Sequence, residues 1–140
     1  GVTEARPGNY ALRDATQVAL GAVTVDRCAL TVLATVVSVH PDRCVLDCGS
    51  KVLSQDRPAP GGTPLASHGI FVDRPGWTLA RLSEEHGVVL FEAGATRPTV
   101  GERVRFVPNH ACVAVNLASE LVLVSGDEVV ERWPVAARGR

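Results

Sequence analysis

Short valine-rich runs, each closed by a turn signal, set the main constraint on this chain. Its 140 residues carry 13 glycines and 9 prolines, and its apolar content comes chiefly from valine, alanine and leucine. β-Branched side chains lose rotamer freedom in a helix and pack well on a pleated surface. Brief runs of them between Gly and Pro read as strands. The pattern predicts a mostly β, antiparallel, barrel-like single domain with at most short helical turns. The length is that of one domain with one sizeable core.

Taken in order, Arg6-Pro7-Gly8-Asn9-Tyr10 is a turn entering an extended piece over Tyr10–Arg13. Cys28–Val39 reads as a strand buried on both sides. His40-Pro41-Asp42-Arg43 turns it back into Cys44–Asp47, and Asp47-Cys48-Gly49-Ser50-Lys51 ends that strand, with Asp47 and Lys51 placed to pair at its end. Arg57–Pro64 is a Pro/Gly loop. Further extended segments are expected at Gly69–Asp73, Trp77–Glu84, His86–Phe91 and Arg103–Val107, the last with Val104 and Phe106 inward. Leu121–Val124 and Val129–Trp133 flank the clearest hairpin turn, Ser125-Gly126-Asp127-Glu128.

A net charge of −1 provides no electrostatic footprint for nucleic acid or an anionic membrane. No apolar run is long enough to span a bilayer. The chain opens Gly1-Val2-Thr3 and contains no methionine, so it reads as a fragment of something longer. Lys51 is its only lysine. Cys28, Cys44, Cys48 and Cys112 show neither a CxxC pair nor a disulfide framework, and Cys28, Cys44 and Cys48 read as free thiols in a reducing cytoplasm.

The chemistry-bearing stretch is Val107-Pro108-Asn109-His110-Ala111-Cys112, which follows a strand and has room to coil into a helical turn. Imidazole and thiolate suit a borderline-soft divalent ion, zinc above all. Two ligands two residues apart converge on one ion when the backbone is extended or tightly turned. Such a clamp leaves coordination positions for water or substrate, as a catalytic metal requires. The same spacing also describes a buried cysteine beside a surface histidine, and spacing alone does not separate the two.

Arg6-Pro-Gly-Asn-Tyr10, Leu46-Asp-Cys-Gly-Ser-Lys51-Val-Leu-Ser-Gln-Asp56, Leu82-Ser-Glu-Glu-His86-Gly87 and Pro108-Asn-His-Ala-Cys112…Asn116 occur in this order along the chain. Together they resemble the C-terminal β-domain of the D-serine dehydratase and D-threonine aldolase family, alanine-racemase-like enzymes of pyridoxal phosphate. The resemblance spans residues 1–140 and implies an N-terminal α/β barrel, absent here, that holds pyridoxal phosphate and its Schiff-base lysine. It implies that His110 and Cys112 are ligands of Zn2+ or another divalent metal, and Cys112 in place of the aspartate of aldolase-type members tilts towards the dehydratases. The implied activity is that of a metal- and pyridoxal-phosphate-dependent lyase on D-β-hydroxy amino acids. D-serine dehydration to pyruvate and ammonia is favoured, with D-threonine-type retro-aldol cleavage as the alternative. Implied partners are the barrel domain, a D-amino-acid substrate and a second copy in a cytoplasmic homodimer. Tyr10 and His86 are weaker catalytic candidates, and Asn116 a candidate partner for the ligand histidine. A non-catalytic β-barrel binding or assembly module is the reading from a different class. Val113, where family members often carry proline, and Cys48, where a small alanine is usual, depart from the pattern without removing a ligand.

Overall fold

In the computed structural model, which describes residues 1–59, 61 and 64–138, one six-stranded antiparallel sheet curls into a nearly closed barrel. Its strands are β1 (Val32–Val39), β2 (Arg43–Leu46), β3 (Gly69–Phe71), β4 (Trp77–Leu82), β5 (Gly87–Phe91) and β6 (Arg103–Pro108), in the order β3-β6-β1-β2-β5-β4. The end strands approach one another: the His68 N–H donates to the Leu79 carbonyl at 2.9 Å, and the Leu79 N–H to Ser67 Oγ at 3.0 Å. Among the described residues three short helices decorate the barrel, α1 (Ala15–Ala19), α2 (Ser50–Leu53) and α3 (Ala111–Leu117). The mostly β, barrel-like expectation holds, short helices included.

Alternation along the strands fills the barrel from one face of each. Ala34 and Val36 of β1, Cys44 and Leu46 of β2, Leu79 of β4, Val89 of β5, and Val104 and Phe106 of β6 are buried. Aromatic rings close one part of this core, with centroid separations of 5.3 Å for Phe71–Trp77, 5.2 Å for Phe71–Phe106 and 5.1 Å for Trp77–Phe91. The Trp77 indole N–H reaches the Thr96 carbonyl at 2.9 Å, so its one polar atom is satisfied inside the wall.

Three readings of the sequence are corrected. Tyr10–Arg13 is not a strand; the chain bends there and enters α1, which the Asp14 side chain caps. The first strand begins at Val32, after a 3-10 turn at Val25–Arg27, and it is buried on one face only, with Leu33 60% and Val37 43% exposed. A barrel wall one sheet thick leaves its outer face to solvent. Asp47 and Lys51 do not pair: Asp47 Oδ1 accepts the Thr35 N–H at 2.7 Å across the β1–β2 hairpin, and Lys51 turns outward to Glu85. The Arg57–Pro64 loop lies partly outside the described residues; at its base Arg57 donates to the carbonyls of Leu65 at 2.9 Å and Ala66 at 3.0 Å.

β7 (Glu120–Ser125) and β8 (Glu128–Pro134) form the expected hairpin, a separate two-stranded sheet beyond α3. Leu123, Val124, Val129, Val130 and Trp133 on it are exposed.

His68, in the segment that closes the barrel, is buried, and its Nδ1 has no hydrogen-bond partner. Burial, helped by the nearby Arg57 charge, holds its pKa below the ordinary 6.5. On unfolding the ring becomes free to take up a proton, so the contribution of His68 to stability is lost as pH falls below about 6.5. Thermal melts at pH 7 and pH 5 are expected to show a smaller acid loss for His68→Leu than for the unsubstituted protein. Equal losses would rule His68 out as a source of acid sensitivity.

Candidate metal centre

β6 ends on Pro108, and the chain turns at once into α3. Proline carries no N–H and suits the end of a ladder, where the pairing to β3 stops at Gly69↔Pro108. Asn109 is 4% exposed, and its side-chain amide donates to the Ser67 carbonyl at 2.8 Å, which anchors the turn to the β3 entry. His110 is the N-cap of α3, with extended backbone (φ −139, ψ 102) and no capping bond from its ring. Ala111 faces the core, wholly buried, which leaves His110 half-buried and Cys112 exposed on either side of it.

Among the described residues neither the His110 ring nor the Cys112 thiol has a hydrogen-bond partner. The donor set, one imidazole nitrogen and one sulfur at the open start of a helix, fits a borderline-soft divalent ion. No third His, Cys, Asp or Glu completes a cluster among the described residues. An ion held there would take its remaining ligands from water, substrate or another domain. Cys112 is thus not the buried cysteine of the competing reading.

The other candidates are placed elsewhere. Tyr10 is 68% exposed and lines a groove with Arg13, Arg27 and Cys28. His86 is exposed and serves the β4–β5 turn through its backbone, its N–H donating to Ser83 Oγ at 3.1 Å and its carbonyl accepting the Ser83 N–H at 2.8 Å. No hydrogen bond joins either residue to His110 or Cys112 among the described residues. Asn116 lies on α3, one turn past Cys112.

Asp14 was not anticipated. This carboxylate is 1% exposed, and its Oδ2 accepts the N–H of Ala111, the residue between the two candidate ligands, at 2.9 Å. A signal for it was present: Asp14-Ala-Thr-Gln17 is an N-cap with Gln at the third helical position, and the structure forms that capping box.

The remaining cysteines are of a different kind. Burial, with Glu102 adding to it, pushes the Cys44 thiol up to about 11, and burial beside Asp47 pushes Cys48 up to about 12. Iodoacetamide at pH 8 is expected to modify exposed Cys112 first and to reach Cys44 and Cys48 only after unfolding, as peptide mapping would show. The unfolded thiols ionise near 9.0, and the folded ones stay protonated up to about 11 and 12. Stability therefore falls as pH rises above about 9.

A nearly closed antiparallel barrel with His110 and Cys112 placed just past the end of one strand defines a small β-domain. The family model described as "Putative serine dehydratase domain" matches residues 29–124, and the chain belongs to that family. It is 42% identical over 134 residues to an uncharacterised protein of Mycobacterium tuberculosis (strain H37Rv), covering 92% of this chain and 98% of that protein. With D-threonine aldolase of Arthrobacter sp it shares 37% identity over 141 residues, 98% of this chain and 35% of the aldolase. D-threo-3-hydroxyaspartate dehydratase from Delftia sp. HT23 superimposes with a TM-score of 0.78 at 25% identity, over 92% of this chain and 37% of that one. A form of the same enzyme with a cysteine replaced by alanine, described as metal-free, gives 0.79 at the same identity and coverage. The relatives with a named activity include D-threonine aldolase and D-threo-3-hydroxyaspartate dehydratase, and this chain corresponds to a small domain of them, spanning 35% and 38% of their lengths.

Proposed function

We propose that this domain supplies the metal half of a pyridoxal-phosphate-dependent lyase acting on D-β-hydroxy amino acids, with D-serine dehydration favoured. The observation that carries the reading is the pair His110 and Cys112, unpartnered at an open helix start on a backbone whose neighbours are anchored. A metal-free dehydratase relative lacking one cysteine supports it. When bound, a divalent ion there supplies a Lewis acid for the substrate's β-hydroxyl, and the cofactor of a barrel domain supplies the electron sink for the Cα carbanion. His110 and Cys112 would hold the ion. Anchored Asn109 and Ala111 fix where the two side chains leave the backbone, and the open helix start leaves room for substrate. Assembly as a homodimer with a barrel domain beside the clamp belongs to the same proposal.

The test is made on the native protein that contains this chain: elemental analysis, then pyruvate release from D-serine before and after chelation. Zinc near one per subunit with chelator-sensitive pyruvate supports the dehydratase. Glycine and an aldehyde from D-threonine with metal bound would move the assignment to retro-aldol cleavage. No metal and neither product would overturn the proposal.

A second reading, a β-barrel binding or assembly module, is favoured by one observation: the chain spans 98% of its mycobacterial relative. A native protein of that length that has neither activity, and whose mass doubles or shifts on contact with a partner, would support it.

A further inference from the structure

We infer that Asp14 is a positioning residue for the His110–Cys112 clamp, presetting its geometry and offsetting the charge of a divalent cation; the inference rests on the metal reading above. One carboxylate here caps two helices. Its Oδ1 accepts the N–H groups of Thr16 at 3.1 Å and Gln17 at 3.4 Å at the start of α1. Its Oδ2 accepts the Ala111 N–H at 2.9 Å, 97 residues away at the start of α3, and the Asn9 side-chain amide also donates to Oδ2. An N-cap side chain ordinarily satisfies the first N–H groups of its own helix. His110 holds the N-cap position of α3 and makes no such bond, because Asp14 does that work from another element. The imidazole is thereby left free to bind something else.

The same helix secures the other side of His110. Thr16 Oγ1 donates to the Asn109 carbonyl at 2.7 Å, so the peptide units before and after the histidine are both pinned to α1. The chain accepts local strain to bring this about: Arg13, immediately before Asp14, has φ 60, a left-handed conformation that is costly for a residue with a Cβ.

Capping one helix does not require a carboxylate, since Asn and Ser serve as well; Asp14 caps two, and its two oxygens accept from four N–H donors. A buried anion loses its hydration, and Asp14 has only neutral N–H donors around it and no ion pair among the described residues. A dication on His110 and Cys112, flanking the residue whose N–H Asp14 accepts, would add a favourable charge to those four donors. The relation is mutual, so the anion raises the affinity of the clamp through its charge and through the pinned Ala111 peptide, without touching the imidazole.

The experiment titrates the native protein that contains this chain, stripped of metal, with Co2+. It follows the visible d–d bands and the near-ultraviolet thiolate charge-transfer band. Binding that depends on His110, lost in His110→Ala, establishes the clamp. Asp14→Asn is then expected to weaken Co2+ about tenfold or more and to shift the d–d bands. Asn offers one acceptor oxygen where Asp14 offers two, so the metal-free variant is expected to melt about 5 °C below the metal-free parent and still to fold. If Asp14→Asn does not fold, Asp14→Ser, which keeps a capping oxygen without the charge, replaces it with the same expectation. Unchanged affinity and spectrum in the folded variant would make Asp14 a helix cap and overturn the inference while leaving the metal reading intact. Absence of any His110-dependent Co2+ spectrum in the parent would overturn the metal reading, and this inference with it.

Discussion

Gly49→Ala is expected to destabilise the domain by about 3 kcal/mol or more, the upper end of what overpacking costs. A Cβ on Gly49 would lie 2.4 Å from the Glu84 carbonyl oxygen and 2.4 Å from that of Ser83. Both are backbone atoms, so no rotamer change relieves the contact. The approach is close because two backbone bonds join the start of α2 to the β4–β5 turn, Ser50 N–H to Ser83 O at 2.8 Å and Lys51 N–H to Glu84 O at 3.2 Å. Admitting a methyl group means breaking them, and with them the packing that buries Cys48 and Leu53. For a domain of this size the thermal midpoint should drop by roughly 10 °C. Gly8→Ala, where an added Cβ meets nothing within 4 Å, should leave it nearly unchanged. A Gly49→Ala midpoint within two degrees of the parent would show that the turn yields freely.

The same residues show how far the sequence carries the fold. Valine-rich runs and turn residues placed β2 to β8 closely, because strand periodicity and turn chemistry are local signals. The Leu46–Asp56 motif was visible, but its purpose was not. Gly49 is required by a backbone 34 residues further on, and Lys51 pairs with Glu85 rather than Asp47. Contacts of that range leave no trace in local pattern. Tyr10–Arg13 reads as extended from composition because the helix start that follows it is marked only by Asp14 and Gln17, and a five-residue helix has no apolar stripe to reveal it. His110 and Cys112 stand out as candidates by residue type and spacing. Their support does not, since Asp14 and Asn109 act through bonds to backbone atoms that any residue could provide. His68 lies in the closing seam of the barrel, a property of strand order rather than of composition.

His110→Ala and Cys112→Ala are expected to separate function from stability. Cys112 is exposed, and neither side chain has a partner among the described residues, so removing either should change stability by no more than about 1 kcal/mol. Loss of a Lewis acid that assists departure of the β-hydroxyl removes on the order of 4 kcal/mol of transition-state stabilisation, about a thousandfold in rate. Core substitutions behave in the opposite way, costing stability first and activity only through it. Melting curves, metal content and D-serine turnover measured together on each variant in the native protein therefore give a pattern that neither damage nor misfolding reproduces: parental midpoint, metal lost, turnover lost. Cys112→Asp adds a finer expectation. A carboxylate still binds a divalent ion, but it favours harder ions than zinc. Metal content should persist with a shift towards Mn2+, and the product of D-β-hydroxy substrates should move towards carbon–carbon cleavage. Full D-serine turnover in the metal-free alanine variants would remove His110 and Cys112 from the chemistry and leave the binding-module reading in possession of the domain.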